Sequence, residues 1–238
     1  MDILLNIINS PFLHFIIGAA LIFYGSNLLV DNSILIARIC KISPLIIGLT
    51  VIAFGTSLPE LVVSVMASIK NEGQVVLGNV VGSNIANISL VLAAIVIFKP
   101  IDNIFYQLKE SILYLFLSTL LVCMLMIYQM LNLFAGLSLL FLFIIFIIRQ
   151  FKNKYEDVPF PDDISQETIS IKCITLIFIG IIALGYGSEI FIGSAIKIAS
   201  IFNVPNIVIS VSLVAFGTSL PELVTSVIAL KRGETGFV

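Results

Sequence analysis

The sequence predicts an all-α integral membrane protein. Hydrophobic residues make up 59% of its 238 residues and charged residues only 11%, whereas water-soluble domains carry about 25% charge. Seven apolar stretches reach or approach the length of about 20 residues that a membrane-spanning helix needs. They cover residues 11–30, 44–69, 75–98, 110–131, 133–150, 171–196 and 205–230. A polar segment that contains proline and glutamate occurs twice within these stretches, and internal repeats are typical of membrane transporters.

Composition also excludes several classes of function. The formal net charge of -2, with Lys and Arg confined to short loops, gives no reason to expect a nucleic-acid partner. Cys40, Cys123 and Cys173 lack the spacing of a metal or redox motif, so we expect them to pack as small hydrophobic residues. A hydrolase would need an activated nucleophile, and the polar segment has Ser and Glu without a His or Lys base. We therefore do not expect an enzyme.

A charged, proline-containing linker at residues 151–170 divides the chain. It separates a first half with five spans, residues 1–150, from a second half that begins at residue 171 and runs to residue 238. If the N-terminus lies outside, ten of the twelve Lys and Arg residues fall in cytoplasmic loops. Because cytoplasmic loops carry the excess of positive charge, we predict an inner-membrane protein with its N-terminus outside.

The repeat is visible at an offset of 162 residues. Residues 53–62 match residues 215–224 without a mismatch, and the alignment extends from residues 24–26 and 186–188 to Glu72 and Glu234. Five spans lie between the start of one copy and the start of the next. Because five is odd, the second copy enters the membrane with the opposite orientation, so the repeats are inverted and their equivalent segments should face each other near the midplane.

Each repeated segment, Ala-Phe-Gly-Thr-Ser-Leu-Pro-Glu-Leu, places oxygen atoms around a carboxylate. Glu60 and Glu222 lie near the middle of apolar spans, where an ionised side chain points to a functional site. Pro59 has no N–H for the carbonyl of Gly55, so it should break the helix and free backbone oxygens. Oxygen ligands of this kind suit hard cations. The candidate ligands are Ala53, Thr56, Ser57 and Glu60 in the first copy and Ala215, Thr218, Ser219 and Glu222 in the second. The alternatives are a structural ion pair and hydroxyls that bond back to their own helix.

A third polar element follows the first copy. Asn79, Ser83 and Asn87 recur at every fourth residue and therefore share one helix face, and Gly78 and Gly82 favour close helix packing. Ser83 and Asn87 are expected to reach the same cations. The alternative is a stripe of hydrogen bonds between helices.

The doubled GTSLPE segment and the sequence GNVVGSNIAN resemble the alpha repeats of the calcium/cation antiporters, above all the prokaryotic sodium/calcium exchangers. The resemblance implies an inverted-repeat fold of ten membrane helices that exchanges sodium for calcium at a central site without a cofactor. It implies that both glutamates bind calcium and sodium, and that the threonines, serines, Ala53 and Ala215 carbonyls, Ser83 and Asn87 complete the site. The first and sixth spans, 11–30 and 171–196, would be the gating pair.

The sequence departs from that pattern at its end. It contains about seven of the ten helices, and the counterpart of Gly78 to Asn87 would follow residue 238. We expect a continuation or a partner to supply these helices; the alternative is a fragment that does not transport. A cation/proton exchanger, in which the glutamates carry protons instead of sodium, is the other alternative.

Overall fold

The computed structural model describes residues 10–100, 105–152, 170–204, 219–234 and 237. These residues form helices joined by short turns and contain no strand. The helices are α1 (Pro11–Cys40), α2 (Pro44–Thr56), α3 (Leu58–Ile69), α4 (Gly73–Phe98), α5 (Phe105–Ile127), α6 (Leu133–Lys152), α7 (Ile171–Ile201) and α8 (Leu220–Lys231). The all-α prediction is confirmed.

Five of these helices, α1, α4, α5, α6 and α7, are long and apolar enough to cross a membrane. Helices α2 and α3 pass the same test together as one broken span with a bend of 48°. The seventh predicted span, 205–230, is described only from residue 219 onward, where α8 forms its last part. The predicted spans therefore agree with the helices wherever the structure describes them.

Several predicted ends differ from the structure; α7, for example, continues past residue 196 to Ile201. Helix α1 runs ten residues beyond the predicted end at residue 30 and stops at Lys41, which has a left-handed conformation with φ 52°. Helix α5 ends at Ile127, short of the predicted residue 131, because the chain turns with Gln129 at φ 54°. Hydropathy does not detect either turn, since apolar residues continue on both sides of it.

The chain divides into two compact units, residues 101–160 and the remainder. In the smaller unit, α5 and α6 contact each other through the Gln150 Nε2 donor and Ser111 Oγ, 3.2 Å apart, and through the rings of Tyr114 and Phe146. The larger unit contains α1 to α4, α7 and α8. The predicted division into halves at the 151–170 linker stays a prediction, since residues 153–169 lie outside the described part.

Helices α1 and α7 form the centre of the larger unit and pack antiparallel through four glycines. A Cβ atom placed on Gly25 would lie 2.8 Å from the carbonyl oxygen of Gly180, and one on Gly180 would lie 2.8 Å from the carbonyl oxygen of Gly25. Gly18 and Gly187 make the second pair, at 2.9 and 3.1 Å. Because only glycine leaves room for such a backbone approach, these residues fix where the helices cross.

The glycine pairs also reveal the symmetry of the fold. Gly18 is equivalent to Gly180, and Gly25 to Gly187, at the same offset of 162 residues that relates the two polar segments. Each contact is therefore the image of the other across a pseudo-two-fold axis between α1 and α7. The inverted relation of the two repeats is thus present in the packing.

Candidate cation-binding site

The two polar segments change direction at equivalent serines. Ser57 joins α2 to α3 with φ -87° and ψ 8°, and Ser219 precedes α8 with φ -90° and ψ 4°. In both cases a proline follows two residues later and cannot donate to a carbonyl of the preceding turn. The predicted break is confirmed in the first copy, and the same backbone conformation occurs at the second serine.

Two wide helical turns lie beside the site residues. Residues Gly48–Ile52 in α2 and Asn87–Leu92 in α4 have π-helical hydrogen bonding. The first directly precedes Ala53, and the second begins at Asn87. Such turns shift the register of the side chains that follow, and they are frequent at functional sites.

Buried oxygens without a partner concentrate at the predicted ligands. In the described part of the chain, six buried side-chain oxygens have no hydrogen-bond partner. Five of the six belong to Glu60, which contributes both carboxylate oxygens, and to Glu222, Asn87 and Ser219. Buried polar atoms are normally satisfied. A cluster of unsatisfied oxygens, with no basic side chain among them, is what a cation site requires.

The two repeats meet through a direct hydrogen bond. Ser57 Oγ of the first copy donates to Glu222 Oε1 of the second at 3.1 Å. Two predicted ligands, one from each copy of the repeat, are therefore in direct contact. The pairing of Glu60 with Glu222 stays a prediction.

The remaining predicted ligands differ in their surroundings. Thr56 is 3% exposed, and its hydroxyl donates to the carbonyl of Ala53 at 3.3 Å; the N–H of Ser57 donates to the same carbonyl at 3.1 Å. Ser83 donates to Val80 O at 3.1 Å. The hydroxyl oxygens of Thr56 and Ser83 can still accept or coordinate, whereas the carbonyl oxygen of Ala53 already accepts two hydrogen bonds. The other two predicted ligands, Ala215 and Thr218, lie outside the described residues.

Asn79 makes the hydrogen bonds between helices that were the alternative interpretation of the polar stripe. Its side-chain amide donates to the carbonyl of Glu60 and to Ser64 Oγ, at 2.9 Å each. These bonds attach α4 to α3 beside the glutamate. The spacing of the polar stripe placed Asn79 on the site face, but only the structure identifies its partners.

The candidate ligands are carboxylate, hydroxyl and amide oxygens, which are the ligands of hard cations. Within the described residues, no three His, Cys, Asp or Glu side chains come together as a metal cluster. Two carboxylates, hydroxyls and an amide oxygen remain, which suit calcium and sodium better than zinc or copper.

A cavity of about 1220 Å³ approaches the site between α3, α4 and α7. Pro59 and Ser83 line the part that lies next to the site residues, and Lys70, Glu72 and Glu189 contribute charged groups elsewhere. Its walls are otherwise mostly apolar side chains and glycines. Among the candidate ligands it is lined by Ser83, whereas the residues with buried, unpaired oxygens do not line it.

Inverted repeats, a broken helix and buried, unsatisfied oxygens at the point where the repeats meet define a membrane transporter of cations. Comparisons with known proteins identify the family. The sodium/calcium exchanger protein family matches residues 10–152 and 172–238, so the chain belongs to this family. It is a transporter and not an enzyme.

Individual relatives agree with this assignment. An uncharacterised membrane protein of Methanocaldococcus jannaschii is 38% identical over 225 residues, which cover 94% of this chain and 74% of the relative. The sodium/calcium exchanger MaX1 of Methanosarcina acetivorans is 30% identical over 277 residues, which cover 95% and 76%. A solved structure of the sodium-calcium exchanger NCX_Mj matches with a TM-score of 0.79 and 35% identity, over 95% of this chain and 75% of that one. The chain thus spans about three quarters of the length of these proteins.

Proposed function

We propose that this protein exchanges sodium for calcium at the site where Glu60 and Glu222 face each other. The observation that carries the proposal is the group of five buried oxygens without partners, which belong to residues that the repeat and the polar stripe after it had singled out. The family, and the exchangers among its relatives, support calcium and sodium as the transported ions.

Charge explains why exchange would be obligatory. Two ionised glutamates give the empty site a charge near -2, which one calcium ion or two sodium ions neutralise. Moving uncompensated charge into a low-dielectric environment costs several kcal/mol per ion. The empty site therefore resists the change between its two open states, whereas the loaded site permits it.

The α1–α7 pair is suited to this movement. Its crossing is fixed by close glycine contacts, so the two helices can move together as one body. Ser26 in α1 and Ser188 in α7, which follow the paired glycines, are both buried. We propose that this pair moves against the site, with the N-terminus outside the inner membrane.

The test uses the purified chain in liposomes. An outward sodium gradient should drive calcium uptake, and Glu60→Gln or Glu222→Gln should abolish it, because the site then lacks half of its charge. Glu110→Gln in α5 makes the same chemical change at another membrane helix and serves as the matched control; it should retain uptake. Uptake that persists in Glu60→Gln, in a protein complete enough for the unchanged form to transport calcium, would refute the proposal.

The same liposomes distinguish the cation/proton alternative. If the glutamates carried protons instead of sodium, calcium uptake would follow an imposed pH gradient and would be independent of sodium. Uptake that requires sodium and ignores the pH gradient supports the sodium/calcium assignment.

A further inference from the structure

The pseudo-two-fold axis relates two interfaces that have different states in this structure. One lies between α1 and α8, and the other between their equivalents α7 and α3. We call them the α1–α8 cleft and the α3–α7 cleft. The first is closed, and the second is the cavity of about 1220 Å³.

The closed α1–α8 cleft is held by polar contacts. Thr225 Oγ1 donates to Ser26 Oγ at 3.1 Å within the interface. At its end, Arg232 Nε and Nη2 donate to the two carboxylate oxygens of Asp31 at 2.7 and 3.0 Å, and Nη2 also donates to Asn27 Oδ1 at 3.3 Å. The guanidinium thus ties the end of α8 to two successive turns of α1.

The open α3–α7 cleft is lined by the equivalents of these residues. Val63 takes the place of Thr225, Ser188 that of Ser26, and Lys70 that of Arg232; all three line the cavity. Val63 is 42% exposed, whereas Thr225 is 1% exposed. The α3–α7 cleft therefore has the surfaces of the closed interface but not its contacts.

The α3–α7 cleft carries the same kinds of charge as the α1–α8 cleft, at shifted positions. The α7 residues equivalent to Asn27 and Asp31 are Glu189 and Gly193, so each long helix keeps one acid opposite the basic residue of its partner. Glu189 and Lys70 are exposed and line the same cavity, and no ion pair within 4.0 Å joins them among the described contacts. No atom lies within 4 Å of a Cβ placed on Gly193, so that position leaves room for the lysine chain.

We propose that Lys70 and Glu189 form the ion pair that closes the α3–α7 cleft in the alternate state, when the Arg232–Asp31 pair opens the α1–α8 cleft. The inference rests on the proposed exchange function, which needs the site to open to one side at a time. Both residues act by positioning helices and not by binding the transported ions.

The two pairs differ in geometry. Arg232 binds Asp31 through two parallel hydrogen bonds, whereas an ammonium group acts as a single point of charge. The Arg232–Asp31 pair is therefore expected to hold its cleft closed more strongly than the Lys70–Glu189 pair holds the other.

Closure can be measured by disulfide formation between Val63→Cys and Ser188→Cys, the positions equivalent to the Thr225–Ser26 contact. The exposed Cys40 and Cys123 are first changed to serine, and the full chain is placed in nanodiscs with a mild oxidant. The rate then reports the small population in which the α3–α7 cleft is closed. Leu61→Cys with Ser188→Cys is the control pair, since Leu61 is on α3 but does not line the cavity.

Asp31→Asn should raise the disulfide rate by up to about fivefold, the range expected for one exposed ion pair. Glu189→Gln and Lys70→Glu should each lower the disulfide rate, and the double variant with Lys70→Glu and Glu189→Lys should restore it. A disulfide rate that is unchanged by Glu189→Gln, or that the double variant does not restore, would overturn the proposal. Sodium-driven calcium flux is measured in parallel. If calcium flux is present but the disulfide rate does not depend on the charges of Lys70 and Glu189, only the ion pair is refuted. If the disulfide rate depends on these charges but calcium flux is absent, only the exchange function is refuted.

Discussion

The crossing of α1 and α7 can be tested with two glycines of the same helix. At Gly180, a Cβ atom would lie 2.8 Å from the carbonyl oxygen of Gly25 and 3.0 Å from the backbone N of Leu29. At Gly185, no atom lies within 4 Å of the added Cβ. Gly180→Ala and Gly185→Ala thus have the same effect on intrinsic helix stability, and they differ in the contact that the methyl group makes.

The magnitude follows from that difference. Replacing glycine by alanine inside a helix stabilises it by roughly 0.5–1 kcal/mol. Overpacking a close contact costs about 1–3 kcal/mol. Gly180→Ala is therefore expected to be less stable than Gly185→Ala by about 1–3 kcal/mol, because the shared gain cancels and the steric cost remains.

Unfolding of both variants in the same detergent, followed by loss of helical circular dichroism, measures the difference. The symmetry adds a second check, since Gly25→Ala meets the same contact from the other side at 2.8 Å. It should be destabilised by a similar amount. Equal stability of Gly180→Ala and Gly185→Ala would refute the close crossing, and with it the movement of α1 and α7 as one body.

Three further predictions concern the site and the closed cleft. Ser57→Ala removes the donor to Glu222, a charge-assisted bond of about 1.5–3 kcal/mol. Calcium affinity, measured by titration calorimetry, should therefore change by about tenfold or more. An unchanged affinity would show that this bond does not position the carboxylate. Asn79→Leu loses two 2.9 Å bonds and should lower the free energy of unfolding by about 1–3 kcal/mol; stability equal to that of the unchanged chain would exclude the positioning role. Thr225→Val keeps the shape but leaves Ser26 without its buried donor, and should cost about 1–2 kcal/mol in the same unfolding assay; a neutral result would contradict the contact.

Much of the architecture could be predicted because membrane helices leave a strong signal in sequence. A bilayer requires long apolar runs with internally bonded backbones, so the spans follow from hydropathy. The break at Ser57 follows from Pro59, and the contact between Ser57 and Glu222 agrees with a repeat that has an odd number of spans between its copies. Each of these inferences depends on the chemistry of neighbouring residues or on the number of spans.

Contacts between distant helices could not be predicted in the same way. The motif Tyr-Gly-Ser drew attention to Gly25 and Gly187, but Gly18 and Gly180 have no conspicuous neighbours, and their role depends on how α1 and α7 cross. The offset of 162 residues relates these two glycines as well. Extending the alignment one further turn upstream would have indicated that the first span of each half makes a shared, closely packed interface.

The difference between the two halves is the feature that sequence similarity conceals. Residues 58–62 and 220–224 are identical, and both segments form the start of a helix after a serine with nearly the same backbone angles. Nevertheless Val62, which lines the open cleft, is 57% exposed, whereas its equivalent Val224 is half-buried against the core. The two identical segments therefore have different surroundings in this structure. An inverted repeat whose halves are in opposite states at the same time is the arrangement that opens a central site to one side while it closes the other.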